Sequence, residues 1–169
     1  MNNPKQDKVL VAYASRAGST AEVAGAIGQV LTNKGRVVDV KLLKDVKDLS
    51  SYQAVILGSA IRIGQVLPEV VKFVQANQPA LSQVPTSYFV VCLTMHEDTE
   101  ENRRTVSAYL DPLRAILKPA SEGLFAGKLD LARLSFLDRA MAKMVKSPVG
   151  DFRNWDAIRT WAAQAIPSA

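Results

Sequence analysis

Five apolar runs punctuate the chain. Val9-Leu10-Val11-Ala12-Tyr13-Ala14, Ala54-Val55-Ile56-Leu57-Gly58-Ser59 and Ser87–Leu93 carry almost no polar residue, the pattern of strands buried on both faces of a parallel sheet. Val37–Leu43 and a short Leu124–Ala126 complete the predicted strands. Between them apolar residues return at helical spacing. Val23, Ile27, Val30 and Leu31 predict a helix over about 20–34, stopped by Gly35. Pro68 suits the first position of a second helix, which Val70, Val71, Phe73 and Val74 carry to about Ala76. Val106, Tyr109, Leu110, Leu113, Ile116 and Leu117 mark a third, kinked or restarted at Pro112. A last helix opens at Asn154, a good N-cap, and buries Trp155, Ile158, Ala162 and Ile166. Asp45–Tyr52 is polar, with room for one helical turn, and Ala60–Leu67 reads as a loop closed by Gly64.

Strands alternating with helices predict an α/β doubly wound parallel sheet, and no linker, repeat or low-complexity tract divides residues 1–169, so one domain is expected. Ligands of such sheets bind beyond the carboxyl ends of the strands. Three loops, Ser15–Thr20, Ser59–Gly64 and Thr94–Asp98, should therefore converge despite their separation in sequence.

The first loop, Ser15-Arg16-Ala17-Gly18-Ser19-Thr20, joins a buried strand to a helix. Backbone N–H groups at a helix start, the helix dipole and the hydroxyls of Ser15, Ser19 and Thr20 suit a phosphate. Gly-Lys-Ser and Gly-Lys-Thr are absent and Gly18 is the only glycine of the turn, so neither the P-loop nor the dinucleotide fingerprint is present. The loop resembles the [ST]-x-[TA]-G-[ST]-[TS] loop of flavodoxins, which holds the FMN phosphate. An ordinary strand-turn-helix with a Ser19/Glu22 capping box is the other reading.

Composition narrows the field. At 169 residues and 48% hydrophobic the chain can bury a substantial core. The single Cys92 excludes an intramolecular disulfide and reads as a small buried hydrophobe. The lone His96 excludes a histidine metal cluster, and no metal is expected. No signal-peptide core or membrane span is legible, which predicts a cytoplasmic protein. The net charge of +5 allows an anionic partner. The basic residues form no aromatic-interleaved stripe, so nucleic acid is not expected.

In the second loop, Ser59-Ala60-Ile61-Arg62-Ile63-Gly64, the two isoleucines are apolar residues at a predicted exposed site. Either they flank a flat ring, with Arg62 meeting the charge on a reduced flavin, or they tuck under the sheet edge with Arg62 solvated. In the third, Thr94 is a candidate partner for a flavin edge and Met95 a soft apolar contact. His96 reads as a loop residue, with a proton shuttle as the sharper alternative. No catalytic residue is assigned.

Four pieces together resemble the flavodoxin-like family of menaquinone-dependent protoporphyrinogen oxidases: Ser15–Thr20, Gly58–Gly64, Gly123-Leu124-Phe125-Ala126-Gly127-Lys128-Leu129, and Leu137-Asp138-Arg139-Ala140-Met141. The resemblance implies a flavodoxin-like five-stranded parallel sheet of order 2-1-3-4-5. It also implies noncovalent FMN, and oxidation of protoporphyrinogen IX in haem biosynthesis with a quinone as acceptor. A soluble flavodoxin electron carrier and an NAD(P)H-dependent quinone reductase are the alternatives; carriers are usually acidic, against a pI near 9.4 here. A receiver module of the same fold would need carboxylates where Ser15 and Ser59 stand.

Lys128–Asp151 is too long for an ordinary strand-to-helix connection. Leu131–Lys146 has helical periodicity, with Leu134, Leu137, Met141, Met144 and Val145 on one face and Arg139, Lys143 and Lys146 on the other. Four basic residues, with Arg133, less Asp138 give this segment +3. The expectation is a helical insertion outside the flavin loops, either a peripheral contact with an anionic membrane or a helix packed by its Leu/Met face; a Met-rich face beside a flavin would also suit a hydrophobic substrate.

Overall fold

A computed structural model describes residues 7–16, 18–144, 146 and 148–168. Five parallel strands form the sheet in the order β2-β1-β3-β5-β6: β1 is Lys8–Ala14, β2 Val37–Leu42, β3 Ala54–Arg62, β5 Thr86–Val91 and β6 Glu122–Phe125. This is the order 2-1-3-4-5 of the sequence reading when the five parallel strands alone are counted.

The central strands are apolar on both faces because both faces carry helices. Val9, Val11, Ile56 and Phe89 point into one core with α1 (Ser19–Asn33) and α6 (Trp155–Ala162). Leu10, Leu57, Tyr88 and Val90 point into the other with α2 (Pro68–Leu81), α3 (Glu100–Ala108) and α4 (Asp111–Arg114). Asn154 caps α6 as expected, its Oδ1 accepting from the Ala157 N–H at 3.0 Å. The break between α3 and α4 falls just before Pro112, as the sequence required.

Three local expectations are corrected. Ala60–Leu67 is no open loop. β3 runs on to Arg62, turns at Ile63-Gly64 and pairs antiparallel with β4 (Gln65–Val66). Both turn residues have positive φ, 52° at Ile63 and 65° at Gly64, as a primed two-residue turn demands. Helix α2 passes Ala76 and ends at Leu81, because buried Leu81 extends its apolar face and Pro79 costs only one hydrogen bond in the final turn. The helical turn expected within Asp45–Tyr52 lies earlier, at Leu43–Asp45.

The segment between β6 and α6 is the insertion. β7 (Lys128–Leu129) and β8 (Gly150–Asp151) pair antiparallel at its base. Between them come a 3-10 turn at Leu131–Arg133 and α5 (Phe136–Met144). No residue of α5 is buried.

Candidate functional site

Parallel pairing sets the carboxyl ends of four strands in one row: Ala14 lies opposite Ser59, Ala60 opposite Val91, and Val91 opposite Phe125. Beyond this row opens a cavity of about 430 Å³. Its walls come from the end of β1, the hairpin of β3 and β4, the turn after β5, and the insertion.

The β1 wall is the start of α1. Gly18 is its N-cap, at φ 88°, and the Gly18 N–H donates to Ser15 Oγ at 3.0 Å. A Cβ at Gly18 would meet no atom within 4 Å, so the glycine is required by its left-handed backbone and faces open space. The Ser19/Glu22 capping box does not form, because Ser19 is already helical. Instead the Glu22 carboxylate accepts from Arg153 at 2.5 Å. Thr20 is fully buried and its Oγ1 has no hydrogen-bond partner among the described residues, a cost of about 1–3 kcal/mol. Arg16 lines the cavity with its guanidinium bidentate on Glu69, at 2.5 and 3.0 Å. The hydrogen bonds from Arg16 hold the Glu69 carboxyl below its ordinary value. Arg16 is shifted upward by the hydrogen bonds to Glu69 first, with the charges of Glu69 and Asp138 adding. Ala17 lies outside the described residues.

The hairpin wall brings Ala60, Ile61, Arg62, Ile63 and Gly64 to the cavity as expected. Ile63 is 74% exposed at the rim and lines the cavity, so it is not tucked under the sheet. Arg62 pairs with Asp138 of α5 and is not simply solvated. Ser59 does not face the cavity. Its buried Oγ accepts from the Leu67 N–H at 2.9 Å and donates to the Ala60 carbonyl, fastening the hairpin to the start of α2.

After β5, Leu93 and Thr94 line the cavity, but Met95 and His96 do not. The chain winds into a 3-10 turn at Leu93–His96, which drives Met95 into the core under α3 and turns His96 outward. The His96 ring meets Phe152 edge-on at 5.5 Å and its Nδ1 is 2.8 Å from the Leu93 carbonyl.

The insertion supplies a wall that sequence reasoning placed elsewhere. Lys128, Leu129, Leu134, Asp138, Met141 and Ala142 line the same cavity, so the insertion does not lie outside the loops around it. Tyr109, under Gly64, was also missed. The signals were present in the Gly123–Leu129 and Leu137–Met141 motifs, but no spacing rule says that they fold over the first loop. The two-face reading of α5 also changes. Arg139 Nε donates to the Leu131 carbonyl at 2.9 Å and is half-buried. Phe136, Leu137 and Met144 are 82%, 75% and 78% exposed, so the Leu/Met face is not packed down. Val145 lies outside the described residues.

The flavodoxin domain family matches residues 10–155. Protoporphyrinogen IX dehydrogenase (quinone) of Leishmania major is 28% identical, over 96% of this chain and 77% of that protein. The Escherichia coli K12 protein of the same name is 22% identical over 93% of each. Among solved structures, two-electron reduced Megasphaera elsdenii flavodoxin has a TM-score of 0.57 at 15% identity, covering 93% of this chain and 99% of that one. A Pseudomonas aeruginosa flavodoxin has a TM-score of 0.54 at 14% identity, covering 94% and 98%. Family and fold indicate a flavin cofactor. The site fits one: a glycine-capped helix start, with Ser15, Arg16 and Ser19 on the wall, stands at one end of a mainly apolar cavity, while buried Thr20 is not on that wall. With a match across most of its length and the parallel-sheet order of the fold, the chain belongs to the flavodoxin-domain family.

Proposed function

We propose that the protein is an FMN-dependent oxidoreductase that oxidises protoporphyrinogen IX and passes the electrons to a quinone. The observation that carries this is the cavity itself, in which a phosphate-type helix start opens onto mainly apolar walls. The relatives that match over most of the chain bear the name of that reaction. We take residues 1–169 as one FMN-binding domain, since both cores lean on the same sheet.

In this reading the first N–H groups of α1 and the hydroxyls of Ser15, Ser19 and Thr20 hold the phosphate. Ala60, Ile61, Ile63 and Thr94 flank the ring, and Arg62 supplies a cation near it. Bound there, FMN supplies a carrier that accepts two electrons from one substrate and gives them to the next. The chain's part is to exclude water with Ile61, Leu129, Leu134 and Met141 and to orient the two substrates in turn. Each turnover moves two electrons and two protons from the porphyrinogen to one quinone, which becomes the quinol, and three turnovers with three quinones complete the six-electron oxidation to porphyrin.

The exposed Phe136, Leu137 and Met144 beside exposed Lys143 and Lys146 support a peripheral contact with an anionic membrane surface, where a lipid quinone dissolves. Among the described residues no helix is long and apolar enough to cross a membrane. We therefore place the protein in the cytoplasm, resting on the inner face of the cell membrane.

The test is anaerobic. FMN-loaded protein is mixed with protoporphyrinogen IX and a quinone, and porphyrin fluorescence is followed. Fluorescence that rises only with both protein and quinone is the expected result. Quinone reduction driven by NAD(P)H, with porphyrinogen untouched, would replace this reading with the reductase, and neither reaction would leave an electron carrier.

A further inference from the structure

Arg62 and Asp138 stand 76 positions apart in the sequence, and their side chains join the hairpin to α5 at the cavity. The root of Arg62 is rigid: Arg62 pairs with Gln65, Ile61 pairs with Val66, and Ser59 ties the hairpin to Leu67. The direction of its guanidinium is set by Asp138. The helix that presents Asp138 buries no residue of its own. The pair contributes little to folding, since its side chains are 43% and 24% exposed and water screens their attraction. Its consequence is electrostatic. Of the three cationic residues lining the cavity, Arg16 is matched by Glu69 and Arg62 by Asp138, while no ion pair is formed by Lys128 among the described residues.

We propose that Arg62 and Asp138 form a charge-balanced pair that sets the reduction potential of the flavin, with Asp138 as a positioning residue that aims Arg62 and offsets its charge. This rests on the flavin reading above. Reduction adds negative charge to the cofactor. A nearby guanidinium favours the reduced form and a nearby carboxylate disfavours it. Removing one partner therefore leaves the other uncompensated, and the two removals act in opposite directions. A mechanical tie holding α5 over the cavity would make both removals act alike.

The experiment is a redox titration of bound FMN, followed by absorbance, in the parent, Arg62→Gln, Asp138→Asn and the double variant, with oxidised-FMN affinity measured in each. Asp138→Asn should raise the ratio of reduced to oxidised affinity about fivefold and Arg62→Gln should lower it about fivefold. For scale, a tenfold change in that ratio is about 30 mV for a two-electron couple. The double variant, neutral at both places, should return to within about twofold of the parent. Arg62→Lys, which keeps the charge, should follow the parent more closely than Arg62→Gln. Shifts of the same sign in the two single variants, or none beyond about twofold, overturn the inference while leaving flavin binding in place. A parent protein that binds no FMN overturns the proposed function and this inference with it.

Discussion

The sheet and the insertion solve the problem of holding the chain in different ways. Strands β1, β3 and β5 place residue after residue at zero or near-zero exposure between two helical layers. The insertion buries Leu129 at its base, but α5 buries nothing. It is held by polar contacts: Arg62 on Asp138, Arg139 on the Leu131 carbonyl, and Arg153 at the foot of β8. Arg153 is 5% exposed, forks onto Asp151 at 2.8 and 2.7 Å, reaches Glu22 of α1, and stacks 4.6 Å over the Trp155 ring. A densely packed region makes the place for a ligand and tolerates little change. A region held by a few charges is suited to adjust what surrounds that ligand.

The sharpest break should come where the packed region meets the ligand. Gly18→Asp adds a carboxylate at the start of α1, in space the protein leaves open. FMN affinity should fall by a thousandfold or more, about 4 kcal/mol, and the melting temperature by a few degrees, since Asp replaces a glycine held at φ 88°. Calorimetric titration measures the first and thermal unfolding the second. Next comes charge on α5. Reversing Lys143 and Lys146 to Glu, with Arg139 left on its backbone partner, should weaken binding to anionic vesicles by about 3 kcal/mol at low salt. The same change should leave flavin affinity nearly unchanged. Co-sedimentation across a salt series reads the effect; a native protein that ignores such vesicles removes the membrane contact from the account.

Arg153→Met tests the foot of the insertion. Losing a buried cation that serves two carboxylates should cost about 2 kcal/mol in urea unfolding, more than any single charge change on α5. Ile63→Asn should do the reverse. A β-branched residue at φ 52° is strained, and Asn accepts that backbone, so the variant should gain about 1 kcal/mol of stability. It should bind FMN less tightly, because an apolar residue leaves the cavity rim. The smallest effect is on acid stability. Hydrogen bonds from Arg153 hold the Asp151 carboxyl down at about 2. A depressed carboxyl stabilises the fold above the unfolded value of about 3.9, and that contribution fades as pH falls to about 2. In Arg153→Met the fade should be absent from the pH dependence of unfolding.

The same contrast governs what the sequence made legible. Strands β1, β3 and β5 are apolar at nearly every buried position, Ser59, Thr86 and Ser87 excepted, so their places follow from local pattern and from the alternation of strand and helix, while the strand order came with the family resemblance. The Ser15–Thr20 loop is local too, and its helix start falls within one residue of the expected place. The β3–β4 hairpin was hidden because its turn holds Ile63, a residue that turn rules do not favour. Ser59, Met95 and His96 were assigned to the site by position along the chain, but a hydroxyl that ties down a hairpin and a 3-10 turn after β5 face them elsewhere. Asp138 was read as part of the Leu137–Met141 piece and as one negative charge in a basic segment, not as a partner of Arg62, since only the folded chain brings Arg62 to it.

The most direct measurement is the binding of FMN compared with riboflavin, which is the same ring system without the phosphate. The account predicts that titration with FMN quenches flavin fluorescence at a stoichiometry of one, and that riboflavin binds at least a hundredfold more weakly, about 2.7 kcal/mol, because Ser15, Ser19, Thr20 and the start of α1 have no phosphate to hold. Equal affinities, or no binding of either flavin, would contradict it.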